Sequence, residues 1–117
     1  MTIMIVEDHA GVRRLLRRTV LAGATEIWEC EDGADALAAY IDHRPDIVLM
    51  DIRMPRMDGL VATRLIRQSH PEARIVIVTD HDDEELRAAA LNIGASAYTL
   101  KHDLSDLAQI ISSVARQ

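Results

Sequence analysis

Hydrophobic residues gather in five short runs: Ile3 to Val6, Glu26 to Cys30, Asp46 to Met50, Arg74 to Val78 and Ala97 to Leu100. Between the runs, apolar residues recur at helical spacing, as in Val12, Leu15, Leu16 and Val20, or in Leu60, Leu65 and Ile66. Strand alternating with helix five times predicts an α/β fold, a parallel sheet with helices on both faces. The punctuation agrees. Asp32-Gly33 precedes one helix, Pro45 ends the next connection, Asp58-Gly59 opens the third helix, Pro71 closes it and Gly94 follows the fourth. A last helix is predicted over about Ser105 to Ala115, so residues 1–117 read as one domain without linker or low-complexity tract.

In an open parallel sheet, ligands bind beyond the carboxyl ends of the strands, where strand order reverses. The first predicted strand runs into Glu7-Asp8, the third into Asp51, the fourth into Thr79 and the fifth into Lys101. All five side chains are therefore expected on one rim. Asp51 is the most telling, because an apolar run fit for a buried strand ends in a carboxylate that is costly to desolvate.

Composition narrows the classes. With 49% hydrophobic and 27% charged residues the chain is globular rather than disordered or membrane-embedded. A net charge of −6 argues against direct nucleic-acid binding by this domain. The amino terminus turns acidic too soon for a signal peptide, and no apolar stretch reaches membrane-spanning length. The single cysteine, Cys30, excludes an internal disulfide and reads as a buried small hydrophobe. A soluble cytoplasmic protein is the expectation.

Three converging acids repel one another, and a cation is needed to hold them as anions. Mg²⁺ suits Glu7, Asp8 and Asp51, being a hard ion that takes carboxylate, water and phosphate oxygens. With the ion neutralising developing charge, the Asp51 carboxylate is a competent nucleophile toward a phosphoryl group. Lys101 would add a positive charge and Thr79 a hydroxyl hydrogen bond to the attached group. Taken singly, Glu7-Asp8 reads equally well as helix N-terminal charge, Thr79 as a strand-end hydroxyl and Lys101 as a solvated surface residue.

Together, Glu7-Asp8, the DIRMPRMDG run from Asp51 to Gly59, Thr79, the GASAY stretch from Gly94 to Tyr98, and Lys101 resemble a two-component response regulator receiver domain over essentially the whole chain. The resemblance implies a flavodoxin-like, doubly wound five-stranded sheet of order 2-1-3-4-5 flanked by five helices. It implies that Asp51 accepts a phosphoryl group from a histidine kinase or histidine phosphotransfer protein. Mg²⁺ would be bound by Asp8, Asp51 and the backbone carbonyl of Arg53, with Glu7 acting mainly through water. Thr79 and Tyr98 would move together and remodel the face of the fourth helix, fifth strand and fifth helix that controls an output protein or domain. Such a protein is a signalling switch, not an enzyme, and homodimerisation on phosphorylation is compatible with it. Tyr98 reads alternatively as a half-buried core tyrosine. Pro55 stiffens the loop after Asp51, and Gly59 is either a close-packing position or a plain helix-start glycine.

Two positions depart from the family pattern. Receivers usually carry proline after the site lysine with a cis bond, whereas this chain has His102, before which a cis bond would cost about 3 kcal/mol. The bond is therefore either trans in a reshaped loop or strained. Asp80 stands where a small residue is more common, and its charge is expected to repel a phosphoryl dianion and slow phosphorylation.

Arg13, Arg14, Arg17 and Arg18 fall on one side of the first helix, opposite Val12, Leu15, Leu16 and Val20. This stripe is a solvated face or a contact surface for a kinase. Asp80 to Glu85 is expected to start the fourth helix. His9, His43, His70, His81 and His102 lack metal-ligand spacing and read as surface residues, with His9 and His102 near the rim; Trp28 reads as a sheet-face residue. The alternatives are an aspartyl phosphohydrolase and a degenerate receiver that binds a partner without phosphorylation. The first lacks a second acid two residues after Asp51, where Arg53 stands. The glycine-rich loops of nucleotide-binding folds are absent. DIRMP and GASAY resemble receivers that carry a DNA-binding output domain.

Overall fold

A computed structural model describes residues 1–117. The elements are β1 (Thr2–Val6), α1 (Ala10–Val20), a 3₁₀ turn (Leu21–Gly23), β2 (Glu26–Cys30), α2 (Gly33–His43), β3 (Ile47–Met50), α3 (Gly59–Ser69), β4 (Ile75–Thr79), α4 (Glu84–Asn92), β5 (Ala97–Leu100) and α5 (Leu107–Ala115). The five strands form one parallel sheet in the order β2-β1-β3-β4-β5, so the expected doubly wound architecture and strand order hold.

The alternation of side chains along each strand divides the core in two. Met4, Val6, Val48, Met50, Ile75 and Ile77 face α2, α3 and α4, meeting Ala36, Tyr40, Ala62, Ile66 and Ala90. Ile3, Ile5, Ile47, Leu49, Val76 and Val78 face α1 and α5, meeting Leu16, Val20, Leu107, Ile111 and Val114. Both faces of the inner strands are covered, which is why their sequences are unbroken apolar runs. β2 is an edge strand and reads differently: Glu26, Trp28 and Glu29 are exposed, and the Trp28 ring stacks on His43 at 3.8 Å.

Helix starts follow their caps. Asp58 accepts from Val61 N–H, Asp83 from the N–H groups of Glu85 and Leu86, and the His9 ring from Val12 N–H. Gly94 takes φ +110° after α4, a left-handed conformation that glycine adopts without penalty.

Several expectations need correction. Asp80 to Asp82 lie in the β4–α4 loop, because Asp83 is the cap and the helix proper begins at Glu84. The fifth helix starts at Leu107, since Asp103 and Ser105 bond to each other in a turn before it. Of the two alternatives for Lys101–His102, the trans one holds, as for every other peptide, and the chain turns there through an Asp103 N–H to Leu100 carbonyl bond. The arginine stripe is two pairs. Arg13 and Arg17 reach Glu29 in β2, and Arg13 also Glu31 just after it, whereas Arg14 and Arg18 are exposed beside Leu15, itself 43% exposed. His43, His70 and His81 are half-buried and each contacts a named side chain, so they are not plain surface residues.

Candidate functional site

The carboxyl ends of β1, β3, β4 and β5 open into a cavity of about 250 Å³ lined by Glu7, Asp8, Asp51, Arg53, Thr79 and Lys101, with His9, Val12, Asp80 and His81 at its margin. All five side chains expected on the rim line it, and of the two histidines expected near it His9 is at the margin. His102 is exposed in the turn after Lys101 and does not line the cavity.

Glu7, Asp8 and Asp51 can each offer an oxygen such that all three lie within 4.8 Å of one another. Glu7 is 1% exposed and Asp51 6%, while Asp8 faces solvent. Lys101 Nζ stands between the buried pair, 2.7 Å from Glu7 Oε1 and 3.1 Å from Asp51 Oδ1. Glu7 Oε1 is buried, with the Lys101 ammonium as its close partner. Glu7 Oε2 accepts from His9 N–H at 3.1 Å.

One ammonium cannot compensate two desolvated carboxylates and a third nearby. Burial, with the Asp51 charge added, pushes the Glu7 carboxyl up to about 7 against the pull of Lys101. Burial acts to lower the Lys101 pKa, but the contacts with Glu7 and Asp51 outweigh it and the net direction is upward. Three hard oxygen donors within 4.8 Å of one another, compensated by a single ammonium, fit a small divalent cation.

The loops that carry the set are tied down locally. Arg13 donates to the carbonyls of Glu7 (2.8 Å) and Asp8 (3.2 Å), fixing the β1–α1 turn. Asp51 Oδ1 accepts from Ile52 N–H at 2.8 Å, so Oδ1 holds both protein contacts and Oδ2 holds none. Gly59 is a close-packing position: a Cβ there would lie 1.7 Å from the Asp51 carbonyl oxygen, and its N–H donates to Ile52 carbonyl at 2.7 Å.

On the β4 side, His81 links several parts. Its N–H donates to Thr79 Oγ1 at 3.2 Å, its carbonyl accepts from the Tyr98 hydroxyl at 2.6 Å, and its ring Nε2 accepts from Arg53 Nε at 2.8 Å. Tyr98 is 6% exposed with the Arg87 guanidinium 4.8 Å from its ring centre, so its ring points inward. Cys30 is buried away from the cavity, and burial pushes its thiol up to about 11, which leaves it unreactive.

Sequence reasoning read His81 as a surface residue, Arg13 as part of a basic stripe and Asp32 as a helix start, and gave none of them a place in the site. Asp32 caps α2 and also accepts from the N–H groups of Arg56 (2.9 Å) and Met57 (3.0 Å) in the β3–α3 loop. The Asp32 contacts leave no one-dimensional signal, since Arg56 and Met57 offer backbone N–H groups of a loop 24 and 25 residues away.

Known proteins resemble this chain in sequence and in fold. The sequence profile of the response regulator receiver domain matches residues 3–112. The transcriptional regulatory protein DegU of Brevibacillus brevis is 36% identical over 118 residues, covering 97% of this chain and 50% of that protein. A LuxR-family two-component response regulator from Aurantimonas sp. SI85-9A1 superposes with a TM-score of 0.92 at 36% identity, over 98% of this chain and 84% of that one. A chain of the CheX–CheY–BeF₃–Mg²⁺ complex from Borrelia burgdorferi gives a TM-score of 0.92 at 29% identity, over 97% of this chain and 88% of that chain. The chain spans half or less of the curated relatives it matches, 50% of DegU and 21% of the regulator NtrC of Escherichia coli. With the family profile covering residues 3–112 and the five-stranded order in place, the chain belongs to the response regulator receiver domains of two-component systems.

Proposed function

We propose that Asp51 accepts a phosphoryl group from a histidine kinase or a histidine phosphotransfer protein in a Mg²⁺-dependent reaction, and that this drives a switch read by an output partner. One observation carries the reading: Asp51, Lys101 and the acids Glu7 and Asp8 converge on a single cavity at the carboxyl end of the sheet. Glu7, Asp8, Asp51 and the Arg53 carbonyl would hold the ion. When bound, Mg²⁺ supplies charge neutralisation at the equatorial oxygens of the transferring group.

The chain's own residues do the rest. Asp51 Oδ2 is the oxygen free to attack, forming an O–P bond as the P–N bond of the donor histidine breaks and its electron pair returns to the imidazole. Lys101, positioned by its contacts with Glu7 and Asp51, moves toward the new anion. Thr79 Oγ1 turns from His81 N–H to the phosphoryl oxygens, and the shift of His81 changes the acceptor of the Tyr98 hydroxyl. In this way charge gained at Asp51 reaches the face formed by α4, β5 and α5.

The phosphorylation-independent reading rests only on Asp80 at the cavity margin and on His102 outside it. Arg14, Leu15, Arg17 and Arg18 are exposed on α1, with Arg17 paired to Glu29, and we place the kinase contact on this face. Relatives described as transcriptional or DNA-binding regulators make a DNA-binding domain or protein the first choice of output, with this acidic domain not touching nucleic acid itself.

The test is intact-mass analysis after incubation with acetyl phosphate. Mass gain of one phosphoryl group is expected with Mg²⁺, none in chelator and none in Asp51→Asn. Labelling of Asp51→Asn, or no labelling of the natural protein at saturating Mg²⁺ and donor, would overturn the assignment.

A further inference from the structure

We propose that Asp32 is a positioning residue for the acidic site: by holding the tip of the β3–α3 loop it fixes the place of the Arg53 carbonyl and so sets the affinity for Mg²⁺. The inference rests on the phosphoacceptor reading above and assigns a task to a residue that the phosphoryl-transfer chemistry does not use.

The loop from Ile52 to Asp58 has no regular structure and is largely exposed. At its base, Gly59 N–H donates to the Ile52 carbonyl at 2.7 Å. At its tip, Arg56 N–H donates to Asp32 Oδ2 at 2.9 Å and Met57 N–H to Asp32 Oδ1 at 3.0 Å. Arg53 lies between these two anchors, and Pro55 removes one further backbone freedom. Closing an exposed loop at two points fixes the carbonyls between them; releasing one point returns conformational entropy that metal binding must then remove.

Asp32 is well placed to act as the anchor. It is 4% exposed, and it accepts a third bond from Ala34 N–H at 2.9 Å as the cap of α2. Burial acts to raise its pKa, yet the three backbone donors and the Arg56 charge reverse this, and the carboxyl sits below the usual range. Bonds to an ionised acceptor are roughly twice as strong as neutral ones. The next residue reinforces the contact: a Cβ on Gly33 would stand 2.5 Å from the Met57 carbonyl oxygen, so loop and helix start touch through backbone. The Arg56 guanidinium pairs with Asp35 at 2.6 Å, but both side chains are more than half exposed and that pair adds little.

The two tasks of Asp32 separate by substitution. Asp32→Ser keeps a good cap for α2, but its shorter hydroxyl does not reach Arg56 and Met57. Asp32→Asn keeps Oδ1 for Ala34 and Met57 and places an NH₂ donor against Arg56 N–H. For each protein we would measure the Mg²⁺ dissociation constant by calorimetry, exchange of the Arg56 and Met57 amides, thermal stability, and labelling rate against Mg²⁺ concentration. In Asp32→Ser the dissociation constant is expected to rise on the order of tenfold, the range seen when a group behind a metal ligand is lost. Its Arg56 and Met57 amides should exchange faster, and excess Mg²⁺ should restore the maximal labelling rate. Asp35→Ala, which cuts only the exposed pair, should bind Mg²⁺ as the natural protein does.

An unchanged dissociation constant in Asp32→Ser, or a lowered maximal rate at unchanged affinity, overturns the inference while leaving the phosphoacceptor reading standing. Should Asp32→Ser fail to fold, Asp32→Asn is judged by the same criterion. A natural protein that binds no Mg²⁺ removes both readings.

Discussion

Ionising Glu7 costs stability, and the cost can be measured. In the unfolded chain the Glu7 proton leaves near 4.5, whereas in the folded protein it stays until about 7. Between those values the folded state holds more protons than the unfolded one, so stability is withdrawn as pH rises through the window. At about 1.36 kcal/mol per unit of pKa, the full effect is about 3 kcal/mol. Between about pH 5 and about pH 8 most of it, about 2–3 kcal/mol, is expected to appear. The assay is urea unfolding at both pH values for the natural protein and for Glu7→Gln, which mimics the protonated acid. Subtracting the Gln variant removes the titration of the histidines and of the other carboxylates. The natural protein should lose about 2–3 kcal/mol relative to Glu7→Gln on going from the lower pH to the higher. Saturating Mg²⁺ should recover much of that loss at high pH, because a cation compensates the carboxylate and displaces its proton. Parallel pH profiles for the two proteins would refute the account of Glu7 as an under-compensated buried acid.

Three further outcomes follow from the same geometry. Gly59→Ala forces a methyl into the Asp51 carbonyl, so thermal or urea unfolding should show a loss of about 1–3 kcal/mol together with slower labelling from acetyl phosphate. A fully active and equally stable Gly59→Ala would contradict the close packing. Asp80 is exposed at the cavity margin, and Asp80→Ala should be labelled faster than the natural protein by acetyl phosphate; equal rates would dismiss its repulsion. Reversing Arg14 and Arg18 to Glu should slow transfer from the cognate kinase and leave acetyl phosphate labelling as it was, since neither arginine lines the cavity; kinase transfer at the natural rate would remove α1 as the contact.

Much of the fold was legible in the amino-acid pattern. Inner strands of a parallel sheet are buried on both faces, so Ile47 to Met50 and Ile75 to Val78 announce themselves as unbroken apolar runs. Because strand ends map to one rim in this architecture, the grouping of Glu7, Asp8, Asp51, Thr79 and Lys101 was also readable before any coordinates. Those are consequences of periodicity and chain order, which a linear sequence carries directly.

Tertiary structure decided the rest. It split the four arginines of α1, because Glu29 and Glu31 draw Arg13 and Arg17 toward the β2 edge while Arg14 and Arg18 have no acid within reach. It turned Tyr98 inward onto the His81 carbonyl, settled Lys101–His102 as trans, and made Gly59 a packing requirement through a backbone oxygen eight residues away. Asp32 shows the reason most plainly. Its side chain caps the helix that follows, as its sequence suggests, but the two donors that hold its carboxylate lie 24 and 25 residues further on, and only the folded chain brings them within 3.0 Å.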